Sequence, residues 1–366
     1  MSRIVRVLLV LAVIAVLFGV LCIGVIFVAT GGNPVNGIQV ALIRFSLNGR
    51  EDDLNMPAGS DPTPVRFTVN RGDNPRLIAG NLLNTGLITD QQLFVDYLIA
   101  HDLDTELEAG TYFLRETQTI PEIALALTDS RNSVINFVIL EGWRIEEVAE
   151  AIDRHGMFGF TGADFMRVVG RGVQLNGGFA FQVGLPAGAS LEGFMFPNTY
   201  QLPPDITATG LRDLLLEEFL RQVGSSAFTQ ASQQNLTLYE IVTLASIVQR
   251  EAVRREEDPT IASVYRNRMD INMKLDADPT VQYPLGEAGD WWTQITQADY
   301  QGVVSPYNTY RSTGLPPGPI ANPGLSAINA ALNPAVTPYF YFQADCSGNG
   351  FHNFSETYEE HLSKSC

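Results

Sequence analysis

Basic residues are scarce. The chain has 366 residues, with 23 lysines and arginines against 40 aspartates and glutamates, a net charge of -17. That deficit argues against nucleic acid or an anionic membrane surface as the main partner, since both are bound through clustered cations. A neutral or mixed-charge substrate is easier to accommodate. Cysteine numbers only 3. Cys22 falls in an apolar run, leaving Cys346 and Cys366. Glycine (32) and proline (20) are at ordinary levels, so the composition is that of a folded protein with loops, long enough for two or three domains.

Long apolar runs are also few, and the notable one is residues 7–29, which hold no charge. At ~1.5 Å per residue it can cross a hydrocarbon core of ~30 Å. Arg3 and Arg6 precede it and the next basic residue is Arg44, which places the N-terminus in the cytoplasm. A signal peptide is the competing reading, but its apolar region is usually ~7–15 residues and no clear A-x-A site follows. An uncleaved, single-pass anchor is therefore expected, with the rest of the chain outside the cell membrane. There a Cys346–Cys366 disulfide can persist, although spacing does not show that the two meet. A metal site with His352 and His361, which lie between them, is the other reading; the spacing matches no standard zinc pattern.

Residues 30–64 read as a linker, with a short strand expected at 39–47. From Val65 an internal repeat appears at an offset of 70 residues, measured between the numbered positions. Phe67 matches Phe137, Val69 Ile139, Gly72 Gly142, Ala79 Ala149 and Gly86 Gly156. Each copy reads as an alternating strand, a glycine turn and an amphipathic helix closed by glycine. A second helix opens at Thr89…Gln92 in one copy and Thr161…Asp164 in the other. Residues 110–114 supply a return strand and 121–127 a closing helix. Such βααβ units commonly bind ligands, though duplication alone implies only a stable unit.

Residues 170–203 are rich in glycine, proline and aromatics and read as a structured loop able to line a groove. A helix follows at 211–223, then a polar boundary at 224–236. Thr237 and Glu240 form a capping box for the next helix. Along it Ile241, Leu244, Ala245, Val248 and Ala252 make an apolar stripe that Glu251 joins, while Arg250, Arg254 and Glu257 fall on the charged side. A carboxyl carried into a poorly solvated region has its pKa raised, which suits a general acid. The plainer reading pairs Glu251 with Arg254 or Arg255. Asp258-Pro259 reads as the start of a further helix over 260–269. Beyond it, KLDADPTVQY and SPYNTYRSTGLPPGPIANPG read as loops, the second of them long and irregular. The amides and tyrosines of the second suit sugar recognition as well as they suit an ordered structural loop, and its prolines exclude a helix or a central strand. Residues 324–332 read as a helix, 339–343 as a buried strand, and HNFSETYEEHL as a final turn and helix.

The ordered motifs LASIVQREA, LDADPTVQY, SPYNTYRSTGLPPGPIANPG, YFYFQAD and HNFSETYEEH, with LEAGTYFL, LEGWRIEEVAE and LEGFMFPNTY upstream, resemble the YceG-like family of endolytic murein transglycosylases over residues 65–361. The resemblance implies an α+β fold: an N-terminal transmembrane helix (1–29), a linker (30–64), a LysM-like βααβ subdomain (65–130), a second repeat with a groove-lining region (131–234), and a mixed α/β catalytic region (235–366) around the Glu-bearing helix. The family's catalytic residue is the second Glu of an E-K-E motif, which is Glu251 here; Gln249 and Arg250 replace the first two positions. By resemblance Asp278, Asn308, Tyr310, Glu192 and His352 contact sugar hydroxyls or acetamido groups. For Asp278 and Glu192 the alternative is a cap or salt bridge, and for His352 a structural hydrogen bond. Glu141 and Glu108 read as scaffold. The implied chemistry needs no cofactor and no metal. The implied partners are glycan strands of peptidoglycan, the cytoplasmic membrane through residues 7–29, and, as a candidate, the wall-synthesis machinery. A non-catalytic murein-binding scaffold is the contrasting function, and a hydrolase using Asp278 as second carboxylate a lesser variant.

Overall fold

The computed structural model describes residues 34–130, 133–175 and 178–366. The apolar run at 7–29 lies outside them, and among the described residues no helix is long and apolar enough to cross a membrane. The chain divides into two compact units, residues 1–134 and 135–366. The boundary expected at 234/235 therefore falls inside one unit.

In the first unit, helices α1 (Pro34–Leu47) and α2 (Glu51–Leu54) precede strand β1 (Val65–Val69). Helices α3 (Pro75–Asn84) and α4 (Gln91–Ala100), strand β2 (Gly110–Leu114) and helix α5 (Ile120–Ala126) follow. The two strands pair antiparallel, with Phe67 opposite Tyr112. The strand–helix–helix–strand order expected from the sequence is present. Phe67, Ile78, Leu82, Phe94 and Leu98 form its core. Tyr112 joins them because its hydroxyl finds an acceptor in the Glu108 carbonyl at 2.6 Å. Asn74 caps α3, whereas α4 is capped by Asp90 rather than Thr89.

The linker expectation is corrected. Residues 39–47 are helical, and Leu47 and Leu54 are buried in this core. Among the described residues no third strand joins the β1–β2 pair. A helix satisfies its own backbone while Ile43 and Leu47, one turn apart, face inward. Arg44 then donates through Nε to the Ala100 carbonyl at 2.7 Å, at the end of α4.

The second unit opens with the second copy of the repeat: β3 (Ile135–Ile139), α6 (Ile145–His155) and α7 (Gly162–Val169). Gly142 (φ +82°) and Gly156 (φ +68°) adopt the left-handed backbone of Gly72 (φ +91°) and Gly86 (φ +74°), so the turn and the helix end recur in both copies. Helix α8 (Phe179–Val183) leads to β4 (Asn198–Leu202), which returns antiparallel to β3. Helices α9 (Ala208–Val223) and α10 (Ser226–Gln233) bring the chain to α11 (Leu238–Glu251). After a 3-10 turn at Arg255–Glu257 come α12 (Asp258–Asp270), α13 (Pro279–Leu285), α14 (Asp299–Gly302) and α15 (Leu325–Leu332). The hairpin β5 (Tyr341–Ala344) and β6 (His352–Ser355) and helix α16 (Tyr358–Ser363) end the unit. A disulfide joins Cys346 to Cys366. β5 is half-buried rather than buried: Tyr341 packs beside Tyr358 and His361, and Phe342 against Tyr265, without closing over either.

Helix α11 is the axis of this unit. The Thr237–Glu240 capping box starts it as expected, and from Leu238 to Gln249 every residue except Glu240 is buried. Helices α12 and α15 pack on it, so its enclosure goes well beyond one stripe. It stops at Glu251, because Ala252 is extended. Arg254 and Glu257 therefore leave the helix instead of continuing its charged side. Asp258 lies inside α12 rather than capping it, and its Oδ2 accepts from Ser326 Oγ at 2.7 Å.

Candidate active site

Because α11 ends at Glu251, that carboxyl emerges from a closed core into a cleft. The cleft, of about 380 Å³, is lined by Glu251, Tyr265, Arg268, Asp276, Asp278, Tyr300, Tyr310, Phe342, His352 and His361 among others. Glu251 is ringed by protein yet keeps partial access to the cleft. Burial pushes its pKa up to about 7, with a contribution from the charge of Asp278; the hydrogen bond from Tyr265 and the cations Arg268 and Arg250 oppose the rise. The side chain therefore holds or releases a proton near neutrality.

The plainer reading of Glu251 fails on geometry. Arg254 donates to the Asn349 carbonyl at 3.1 and 2.8 Å. Arg255 lies near Glu141 (3.6 Å) and Asp258 (3.8 Å). Arg250 stacks on Trp292, 3.7 Å from the ring centroid. Gln249 points inward, its Oε1 accepting from the Gly324 amide at 3.0 Å, so the residue that replaces the first Glu of the motif does structural work.

The cleft wall combines three segments distant in sequence. Tyr310 donates to Asp278 Oδ1 at 2.6 Å and stacks on Tyr300 with centroids 4.3 Å apart. Asn308 is buried behind them, donating to the Tyr300 and Val303 carbonyls (3.1 and 2.9 Å) and accepting from the Tyr310 amide (2.9 Å). It shapes the loop and does not line the cleft. On the other side His352 Nδ1 lies 2.9 Å from Glu257 Oε2, and its amide donates to Glu257 Oε1 at 3.1 Å. The structural reading of His352 is thus realised, although its side chain also borders the cleft.

Glu192 lies elsewhere, and the expectation that it orients sugar is corrected. It is 1% exposed and absent from the cleft lining. Its oxygens accept from the Ile145 amide (3.2 and 3.3 Å), Asn322 Nδ2 (3.3 Å) and the Tyr283 hydroxyl (3.4 Å). A carboxyl at the first amide of α6 serves the helix start. Burial holds its pKa well above the usual carboxyl range.

Asn322 is the residue that the sequence reading passed over. It is fully buried. Its Oδ1 accepts from the Gly193 and Met195 amides (3.0 and 2.9 Å), and its Nδ2 donates to the Trp143 carbonyl (2.9 Å). It thereby joins the LEGW, LEGF and PGPIANPG motifs. Gly193 (φ +90°) has to be glycine there, since a Cβ would lie 2.7 Å from Pro319 and Val242. The second half of the proline-rich loop is therefore core rather than sugar surface, and residues 170–203 pack Leu191, Phe194 and Met195 inward instead of lining the cleft. An asparagine set among prolines was the available signal.

A carboxyl with a pKa of about 7 in a tyrosine-walled cleft is the equipment of an enzyme that protonates a leaving oxygen. The model of the YceG-like family matches residues 67–365, and the chain belongs to that family. The endolytic murein transglycosylase of Bacillus subtilis (strain 168) is 30% identical over 319 residues, covering 82% of this chain and 83% of that protein. The endolytic murein transglycosylase of Streptococcus pneumoniae serotype 2 is 27% identical, covering 81% of this chain and 57% of that protein. A crystal structure of a yceG-like protein from Listeria monocytogenes is similar at a TM-score of 0.55 and 26% identity, covering 84% of this chain and all of that one.

Proposed function

We propose that this protein is an endolytic peptidoglycan lytic transglycosylase with Glu251 as its acid and base. Glu251 protonates the oxygen between N-acetylmuramic acid and N-acetylglucosamine. Its carboxylate then takes the proton of the muramoyl 6-hydroxyl as that oxygen attacks the anomeric carbon. The product is a 1,6-anhydro end, and no water enters. The observation that carries this reading is an enclosed carboxyl with a pKa of about 7 in the cleft, together with the names of the relatives. Asp278, Tyr310 and Tyr300 hold the sugar, and His352 closes the opposite side. Residues 7–29 anchor the chain in the cytoplasmic membrane with the catalytic part outside, and the first unit acts as a LysM-like glycan holder. Cutting of nascent strands in this position limits their length.

The test is digestion of peptidoglycan by the purified protein, with the muropeptides read by mass spectrometry. Anhydro ends are expected from the wild type and not from Glu251→Gln. Asp278 shares the cleft, which favours hydrolysis as the second reading; there the same digest shows reducing ends. Strands bound but left at full length would identify a scaffold.

A further inference from the structure

Helix α12 sends two polar side chains toward the cleft, Tyr265 and Arg268, placed on one face by their spacing. Arg268 is committed to backbone: Nε donates to the Phe340 carbonyl and Nη1 to the Leu275 carbonyl, each at 2.6 Å. Tyr265 is 1% exposed and edge-on to Phe342, with centroids 5.7 Å apart at 85°. Its hydroxyl donates to Glu251 Oε1 at 2.8 Å. Among the described residues no hydrogen bond falls on Oε2.

We propose that Tyr265 is the positioning residue of Glu251, holding the carboxyl by Oε1 so that Oε2 is the oxygen that delivers a proton to the glycan and takes one back. The proposal rests on Glu251 being the acid. While the phenol donates to Oε1, a second hydrogen has no room there, so the acid form that keeps this bond carries its proton on Oε2. Burial and the neighbouring carboxyl hold the phenol's own pKa well above its ordinary value, so it keeps its hydrogen and has it to donate. As the proton leaves Oε2, the Tyr265 bond becomes charge-assisted and roughly twice as strong. It therefore stabilises the anion that develops in the transition state. The balance is closed. The Oε2 proton goes to the glycosidic oxygen as its bond to the anomeric carbon breaks. The 6-hydroxyl oxygen bonds to that carbon, and its proton returns to Oε2. Tyr265 keeps its hydrogen throughout.

The experiment uses Tyr265→Phe in the full chain in detergent, with two readouts. The first is anhydro-end release from peptidoglycan between about pH 5 and 9, resolved into kcat and KM. The second is the carboxyl 13C titration of Glu251, assigned by its absence in Glu251→Gln. Loss of a donor to the anion moves the titration upward by about one pH unit. The alkaline limb of kcat/KM follows it, and kcat near pH 6 falls about tenfold while KM changes less than about twofold. An unmoved titration overturns the proposal even if the variant is inactive. A shifted titration with an unmoved rate limb, or a loss carried by KM, overturns it as well. Anhydro ends at wild-type yield from Glu251→Gln would instead sink the assignment of the acid, whatever Tyr265→Phe does.

Discussion

Tyr310 donates its phenolic hydrogen to Asp278 Oδ1 across 2.6 Å, tying two loops 32 residues apart into one wall of the cleft. Glu251 stands opposite that wall and feels the charge of Asp278, which raises its pKa. The wall thus has two separable effects, one on sugar binding and one on the acid.

Removing the charge separates them. Asp278→Asn takes a like charge away from Glu251, so the carboxylate becomes easier to form and the pKa falls. The alkaline limb of kcat/KM is expected to move to lower pH. Tyr310→Phe keeps the charge and loses the bond; a rise in KM of about threefold to tenfold is expected from a net hydrogen bond of ~1 kcal/mol. Steady-state kinetics across pH on both variants checks this.

Glu251 also makes stability depend on pH. Its folded pKa of about 7 lies above the ordinary 4.5. Below pH 4.5 the acid is protonated in both states and costs nothing. Between about 4.5 and 7 the unfolded chain ionises first, so stability falls, by up to ~3 kcal/mol at ~1.36 kcal/mol per unit. Glu251→Gln lacks this loss. Denaturant unfolding should find the variant and wild type alike at pH 4 and the variant more stable at pH 8.

Asn322 holds three motifs at once. In Asn322→Ala the buried Gly193 and Met195 amides lose their acceptor, whereas the Trp143 carbonyl keeps the bond from the residue 322 backbone amide at 2.7 Å. A loss of ~3–5 kcal/mol in unfolding free energy is expected, since each stranded group costs ~1–3 kcal/mol. A loss below ~1 kcal/mol would mean that water replaces the side chain.

The disulfide closes a segment with a sequence separation of 20, containing β6 and α16. Loop-closure arithmetic assigns it ~3 kcal/mol. His352 and His361 lie within that segment and line the cleft, so replacing Cys346 and Cys366 by serine should lower both the melting temperature and the anhydro-product yield. Calorimetry and the muropeptide assay on one sample test the two together.

Local features were legible in the sequence. The repeat, the Thr237 and Thr161 capping boxes and the glycine turns each rest on neighbouring residues and fixed backbone conformations. The enclosure of Glu251 was legible because its apolar neighbours recur at helical spacing. The errors are of one kind. Residues 39–47 alternate well enough for a strand, but no edge of the β1–β2 pair receives them. Glu192 sits in a motif that resembles a site, yet the Ile145 amide and Asn322, far away in the chain, claim its oxygens.

The chain's own order of residues thus determined its helices, its duplicated unit and the placing of Glu251 on a buried helix. These depend on periods of two and 3.6 and on caps a few residues away. Which polar side chains face the cleft and which vanish into the core was decided only in three dimensions. A carboxyl or amide takes its role from the donors that surround it, and here those donors come from segments more than thirty residues distant: Tyr310 for Asp278, Asn322 for Glu192.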